Sequence, residues 1–242
     1  MKHLIELTDE SSLTREDYDR IILDSETDGI IVWWGGDYSN DYPYVNLGLS
    51  VKWAKCNVGA KKETDYGDYF QWGSITPDTN NVCNWTNAPF NNRENSYNST
   101  YFDSVKDDVY PNGILAKKYD AAAQIMGGNW RMPTEAEFQE LLNNTESKWV
   151  ENFNGSGVNG RKFISKINGN SIFIPASGYR EGDRVNDVRV DGDVWSSSLI
   201  GLEGEAVDKF EVARHLVFDS GRFGSRLQYT SRSYGLPVRG VL

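Results

Sequence analysis

Gly127–Asn144 reads GGNWRMPTEAEFQELLNN, and the rest of the chain is placed relative to it. Gly127-Gly128 is a turn signal, Trp130 a large apolar anchor, and Pro133-Thr134 the point where one element stops and a helix starts. Thr134 followed three residues later by Glu137 fits a capping box, in which the hydroxyl takes one orphan N–H of the first turn and the carboxylate reaches back to another. Phe138, Leu141 and Leu142 fall at i, i+3 and i+4, so the spacing predicts an amphipathic helix of about three turns ending near Asn143-Asn144. Its apolar stripe belongs to a core.

On the N-terminal side, Gly113–Met126 (GILAKKYDAAAQIM) has helix-forming composition, with Leu115, Tyr119, Ala122 and Met126 spaced to share a face, and predicts a second helix. Thr76–Ser104 is poor in apolar residues and rich in Asn, which reads as a long loop or insertion. Val45, Leu47, Leu49, Val51 and Trp53 alternate strictly with other residues and predict a half-buried strand. Gly35–Pro43 is a turn-rich linker, the best boundary between an N-terminal arm (residues 1–40) and one domain (residues 41–242). The arm holds too little apolar content to fold alone, so it reads as an element that packs on a neighbour or assembly, or as an extension of the domain's own sheet. From Phe153 onward, short apolar runs (KFISKI, SIFIPA, VWSSS, RHLVFDS, LPVRGV) alternate with Gly, Asn and Asp turns, the pattern of antiparallel strands joined by exposed loops. The expected core anchors are Trp53, Trp72, Trp130, Phe138, Trp195 and Phe218.

Composition narrows the function classes. Among 242 residues there are eight Trp and thirteen Tyr, which suits a loop-rich fold with a few large anchors. A formal charge of −10 and a pI near 4.8 argue against a general phosphate-backbone binder, so nucleic acid is not an expected partner. No apolar run is long enough for a membrane-spanning helix. The opening MKHLIELTDESSLTRED turns acidic at once and reads as carrying no secretory signal. Cys56 and Cys83 are too few and too far apart for a zinc site and read as small buried residues.

The WRMPT segment with its acidic, Phe-containing helix resembles the centre of the C-type-lectin-like domains grouped with formylglycine-generating enzymes and with the Fibrobacter succinogenes major paralogous domain of Bacteroidetes proteins. YVNLGLSVKWAKCNVGA (Tyr44–Ala60) and DYGDYFQWG (Asp65–Gly73) resemble that domain's opening. SIFIPASGYR, VWSSS, LVFDSG and YGLPVRGV resemble its closing strands, in the family's order, so the resemblance covers about residues 44–242. It implies an α+β, C-type-lectin-like fold: two helices packed on twisted antiparallel sheets with long loops. The enzymes of that group depend on a reactive cysteine pair near the C-terminus, and nothing after Cys83 is a cysteine, so the resemblance implies no catalysis here. Calcium-dependent sugar binders of the fold use a Glu-Pro-Asn or Gln-Pro-Asp triplet, which this chain lacks. No cofactor, metal or catalytic residue is expected. Asp183, Asn186, Asp187, Asp191 and Asp193 offer oxygen ligands but read as a solvated acidic loop, and His3 and His215 stand isolated.

What remains is a recognition surface. Tyr179, Arg180, Arg184, Asn186 and Arg189 fall in one expected loop; Arg222, Arg226, Gln228, Tyr229, Ser231, Arg232, Ser233 and Tyr234 fall in the last loop before the closing strand. Tyr, Arg, Ser and Asn supply rigid aromatic area and adjustable hydrogen bonds, and the local excess of Arg suits an anionic glycan or an acidic partner protein. The ending also resembles, in composition and position, the C-terminal segments that some phage and bacterial proteins of this fold diversify for ligand binding. The expectation is a non-enzymatic phage virion protein, in a head or tail fibre or decoration. It would be held to other virion proteins by its arm, would bind a host-surface glycan or protein, and would work as a homo-oligomer through multivalency. The alternative is a bacterial cell-surface or secreted adhesin of the same domain family.

Overall fold

The structure, a computed structural model, describes residues 42–78, 82–94, 96–199, 211–221 and 224–242. The arm at residues 1–40 lies outside them, as do His3 and Arg222.

The WRMPT helix forms as its spacing predicts, Glu135–Asn144. Thr134 Oγ1 accepts the Glu137 N–H at 3.2 Å, and the Thr134 N–H donates to Glu137 Oε2 at 2.8 Å. Arg131 forks onto the same carboxylate, with Nη1 2.8 Å from Oε2. This is α3; α1 is Ser99–Val109 and α2 is Ala121–Met126. The strands in chain order are β1 Tyr44–Val45, β2 Trp53–Asn57, β3 Tyr69–Gln71, β4 Thr145–Val150, β5 Gly160–Ser165, β6 Ser171–Pro175, β7 Tyr179–Glu181, β8 Arg184–Asn186, β9 Asp191–Leu199, β10 Val212–Asp219, β11 Ser225–Ser231, β12 Gly235–Pro237 and β13 Arg239–Val241. They pair antiparallel in four small sheets, β1-β2-β13, β11-β10-β9, β3-β12-β7-β8 and β4-β5-β6. The class is α+β.

Two apolar clusters hold these layers together. In one, Trp72, Trp130, Trp195, Phe70 and Phe102 gather α1, α2, β3 and β9; in the other, Trp53, Phe138, Leu141, Phe163, Ile174 and Phe218 gather α3, β5, β6 and β10. All six anticipated anchors are 0 or 1% exposed. Two indoles also stitch sheets by hydrogen bond, Trp72 Nε1 to Ser196 O at 2.9 Å and Trp195 Nε1 to Phe70 O at 2.7 Å, so their burial leaves no donor orphaned. Arg239 is 0% exposed and does similar work with charge. Its guanidinium donates to Asn57 Oδ1 (2.9 Å), Ala54 O (2.9 Å), Lys55 O (2.6 Å) and Phe173 O (3.1 Å), clamping β13 and β2 to β6.

Three local readings are corrected. Val45–Trp53 is not one strand: Tyr44 pairs with Ala54 and Val45 with Trp53, so the chain doubles back. Gly48, at φ +74°, makes the turn, and its N–H is taken by Asn46 Oδ1 at 2.8 Å. Leu47, Val51 and Trp53 are buried all the same; the alternation marked burial and not extension. Of the helix expected over Gly113–Met126 only α2 forms, preceded by 3-10 turns at Pro111–Gly113 and Lys117–Tyr119. Asp120 ends the earlier segment by capping α2, accepting from Ala123 N at 2.9 Å and from Met132 N at 2.8 Å. Finally, the Asn-rich stretch ends in a helix, α1, which starts at Ser99 and is capped by Asn98 accepting from Tyr101 N at 3.2 Å. Only Phe102 and Val109 of this helix are buried, too sparse a stripe to show as a period.

Candidate functional site

The sequence SGYREGDRVN folds as a hairpin, β7 and β8 joined by the two-residue loop Gly182-Asp183, with Tyr179 opposite Asn186 and Arg180 opposite Val185. Gly178, at φ +61°, lets the open end of this hairpin close up: a Cβ there would sit 1.8 Å from Asn186 O on the other strand. Gly178 also bridges in parallel to Gly192, which sets Ser177 beside Asp191 and Tyr179 beside Asp193 in register. On its other side β7 meets β12, Arg180 opposite Gly235. That register brings Tyr234 to Tyr179: their rings stack with centroids 5.4 Å apart at 27°, and Tyr234 Oη donates to Glu181 Oε1 at 3.0 Å. Residues 55 positions apart in sequence thus make one aromatic pair, partly buried at the edge of the core.

Beyond Asp193, one face of the second sheet runs across β9, β10 and β11. Asp193 lies opposite Val217 and Asp191 opposite Asp219, while Arg226 lies opposite Val217 and Gln228 opposite His215. Arg226 Nη1 is 3.1 Å from Asp219 Oδ2. His215, read as isolated, is buried, with Nε2 3.1 Å from Asp193 Oδ1; its Nδ1 has no hydrogen-bond partner. Sequence spacing hid this couple because it forms across a strand pair and not along a chain segment. Asp191 and Asp193 are strand residues, Asp193 buried, so for these two the expected solvated loop is corrected to a sheet face, while Asp183 and Asp187 are exposed as expected.

The other anticipated residues disperse. Arg180 is largely covered, its guanidinium 5.5 Å over the Tyr69 ring and Nε 3.7 Å from Asp78 Oδ2. Arg184 is exposed at the hairpin tip, Nε 3.9 Å from Asp183 Oδ1; Arg189 is exposed too and carries a φ of +71°. Tyr229 and Ser231 alternate onto the opposite face of β11, where Arg214 lies 5.7 Å over the Tyr229 ring and 3.2 Å from Glu135 Oε1. β11 is a strand and not the loop that was expected, so period-2 alternation splits its residues between faces. Arg232 and Ser233 leave the list of surface residues: Arg232 is 0% exposed and Ser233 is buried. The Arg232 guanidinium sits among Phe102, Tyr97, Trp72 and Trp85, 4.4 to 5.7 Å from their ring centroids, with Nη1 3.4 Å from Pro89 O. Four aromatic faces hold it inside the fold.

Electrostatics at the aromatic pair follow from this crowding. Burial first, then the hydrogen bond and charge of Glu181, push the Tyr234 phenol up to about 12. Burial, followed by Asp187, Glu181, Asp193 and Asp191, raises Tyr179 as well. Both phenols therefore stay protonated and act as donors and aromatic faces, with carboxylates as the acceptors around them. Burial raises the thiols of Cys83 and Cys56, which makes both poor nucleophiles. Among the described residues no three His, Cys, Asp or Glu side chains converge to hold a metal ion, and no helix is long and apolar enough to cross a membrane. Comparison with protein-family models, with characterised proteins and with solved structures gives no match.

Proposed function

We propose that residues 41–242 are a C-type-lectin-like recognition domain and that the chain is a non-enzymatic phage virion protein of a head or tail fibre or decoration. Residues 1–40 would serve as its attachment segment, and the domain would bind a glycan or protein on a Bacteroidetes host surface as part of a homo-oligomer. The reading draws on the quoted sequence blocks and on the α+β architecture with its capped helix after WRMPT.

One observation carries the recognition role: the Tyr179–Tyr234 stack joins two separate polar segments into one partly buried aromatic pair seated on a tryptophan-anchored base. Amphipathic rings held at fixed geometry supply contact area at low entropic cost, which is what a binding surface needs. The test is adhesion. Labelled protein should bind intact host cells, and Glu181→Gln with Arg184→Ala, both on the exposed hairpin, should weaken binding about tenfold without changing the melting temperature. Unchanged adhesion by that double variant would remove the site from the reading. Finding the protein in purified virions would separate the virion role from the bacterial adhesin.

A further inference from the structure

Part of the arginine excess that pointed to an anionic ligand is spent on the fold, while Arg184 and Arg189 stay exposed. Arg232 is enclosed by aromatic rings, Arg180 faces Asp78 and Tyr69, and Arg226 is paired with Asp219. Around the Tyr179–Tyr234 pair the opposite charge gathers, from Glu181 at the Tyr234 hydroxyl, Asp193 beside Tyr179, and Asp191 next along β9. Burial, and then the charges of Asp193, Asp187 and Asp219, raise the Asp191 carboxyl, with Arg226 acting the other way. Ser177, which the Gly178–Gly192 bridge sets beside Asp191, is 0% exposed, and its Oγ has no hydrogen-bond partner among the described residues.

Resting on the recognition role proposed above, we infer that the chemical group this site takes is an ammonium cation, held against the Tyr179–Tyr234 pair with Glu181 and Asp191 as its counter-charges. Tyrosine faces attract a cation through their ring quadrupole, and neighbouring carboxylates deepen the negative potential. A sulfate or carboxylate ligand at the pair itself would meet the like charges of Glu181 and Asp191, with the exposed Arg184 lying out at the hairpin tip. An ammonium group reaches the site from either a lysine side chain or an amino sugar, and the two sources differ in what surrounds the nitrogen.

The test is calorimetric titration of the full chain with a lysine tetrapeptide, a glucosamine tetramer, the N-acetylated form of that tetramer and a sulfated tetrasaccharide. Both amine probes should bind, the N-acetylated tetramer about tenfold more weakly, and the sulfated probe not at all. The tighter of the two amines identifies the source. Glu181→Gln should weaken amine binding about fivefold, whereas Glu151→Gln, an exposed carboxylate after β4, should leave it within about twofold. Amine binding that is absent, matched by the acetylated probe, or lost equally in both variants overturns the inference, as does preference for the sulfated probe. Host-cell adhesion read in parallel separates the two proposals: adhesion without amine affinity overturns the ligand class alone, and loss of both overturns the recognition role too.

Discussion

Replacing Arg239 with Met should be among the most damaging single changes in the domain. The guanidinium donates to four acceptors, Asn57 Oδ1 and the carbonyls of Ala54, Lys55 and Phe173, and the residue is 0% exposed. Methionine fills most of the volume but donates nothing, so each acceptor left dry costs about 1–3 kcal/mol. Removing a buried cation returns several kcal/mol of desolvation, and the balance is a loss of about 3–5 kcal/mol, the size seen when one side of a buried polar pairing is deleted. For a domain of this size that is a drop in melting temperature of roughly 6–20 °C. Burial draws the guanidinium down to about 10, still far above neutrality, so the loss should be flat between about pH 5 and 9. Arg239→Lys keeps the charge but not the fork and should lose about half as much. Urea unfolding followed by tryptophan fluorescence measures this directly. A midpoint shift worth less than about 1 kcal/mol at unchanged slope would refute the clamp, because a replaceable surface arginine behaves that way.

Three further outcomes are expected. Arg232→Ala empties a cage of four rings and should cost about 3–5 kcal/mol, measured by chemical unfolding, whereas an arginine serving only recognition would change stability by less than about 0.5 kcal/mol. Burial raises Asp120 to about 6 from an ordinary 3.8, so its contribution to stability is full below about 3.8 and lost as pH rises through about 6. Asp120→Asn cannot titrate and exchanges one of two acceptors for a donor. Its stability deficit against wild type should therefore be largest near pH 4 and narrow by pH 7, and a deficit that widens with pH would contradict the sign. Thr134→Ala removes one half of the capping box and should cost about 1 kcal/mol by thermal unfolding, with Thr134→Ser losing little.

The elements most legible in the sequence are those whose cause is local. Thr134 and Glu137 lie within one turn and act on each other, so three residues of spacing reveal both the helix and its start. The large aromatics carry enough area that burial was predictable residue by residue. Where the cause is distant, sequence reasoning failed. Arg232 looks like its neighbours Ser231 and Ser233 until four rings from other segments close around it. Asp193 and His215 are 22 residues apart and meet only because β9 pairs with β10. The alternation from Val45 to Trp53 was real, yet a turn at Gly48 serves the same buried positions as a strand would. Around Tyr179 and Tyr234, which charges remain exposed depends on pairings that the linear order does not carry.

The clamp at Arg239 also bears on the time the chain needs to fold. Arg239 and Asn57 are 182 residues apart, and β2 cannot complete its sheet until β13 arrives to lie beside it. β3 waits in the same way for β12, Phe70 pairing with Leu236. Closing loops of that length is entropically costly before any contact repays it, which places such a topology at the slow end of single-domain folding, in milliseconds to seconds. Until then β2 and β3 each present an open edge bearing Trp53 or Phe70, and self-association competes with closure. Dilute refolding at low temperature should therefore recover far more native protein than concentrated refolding, since association scales with chain concentration and closure does not.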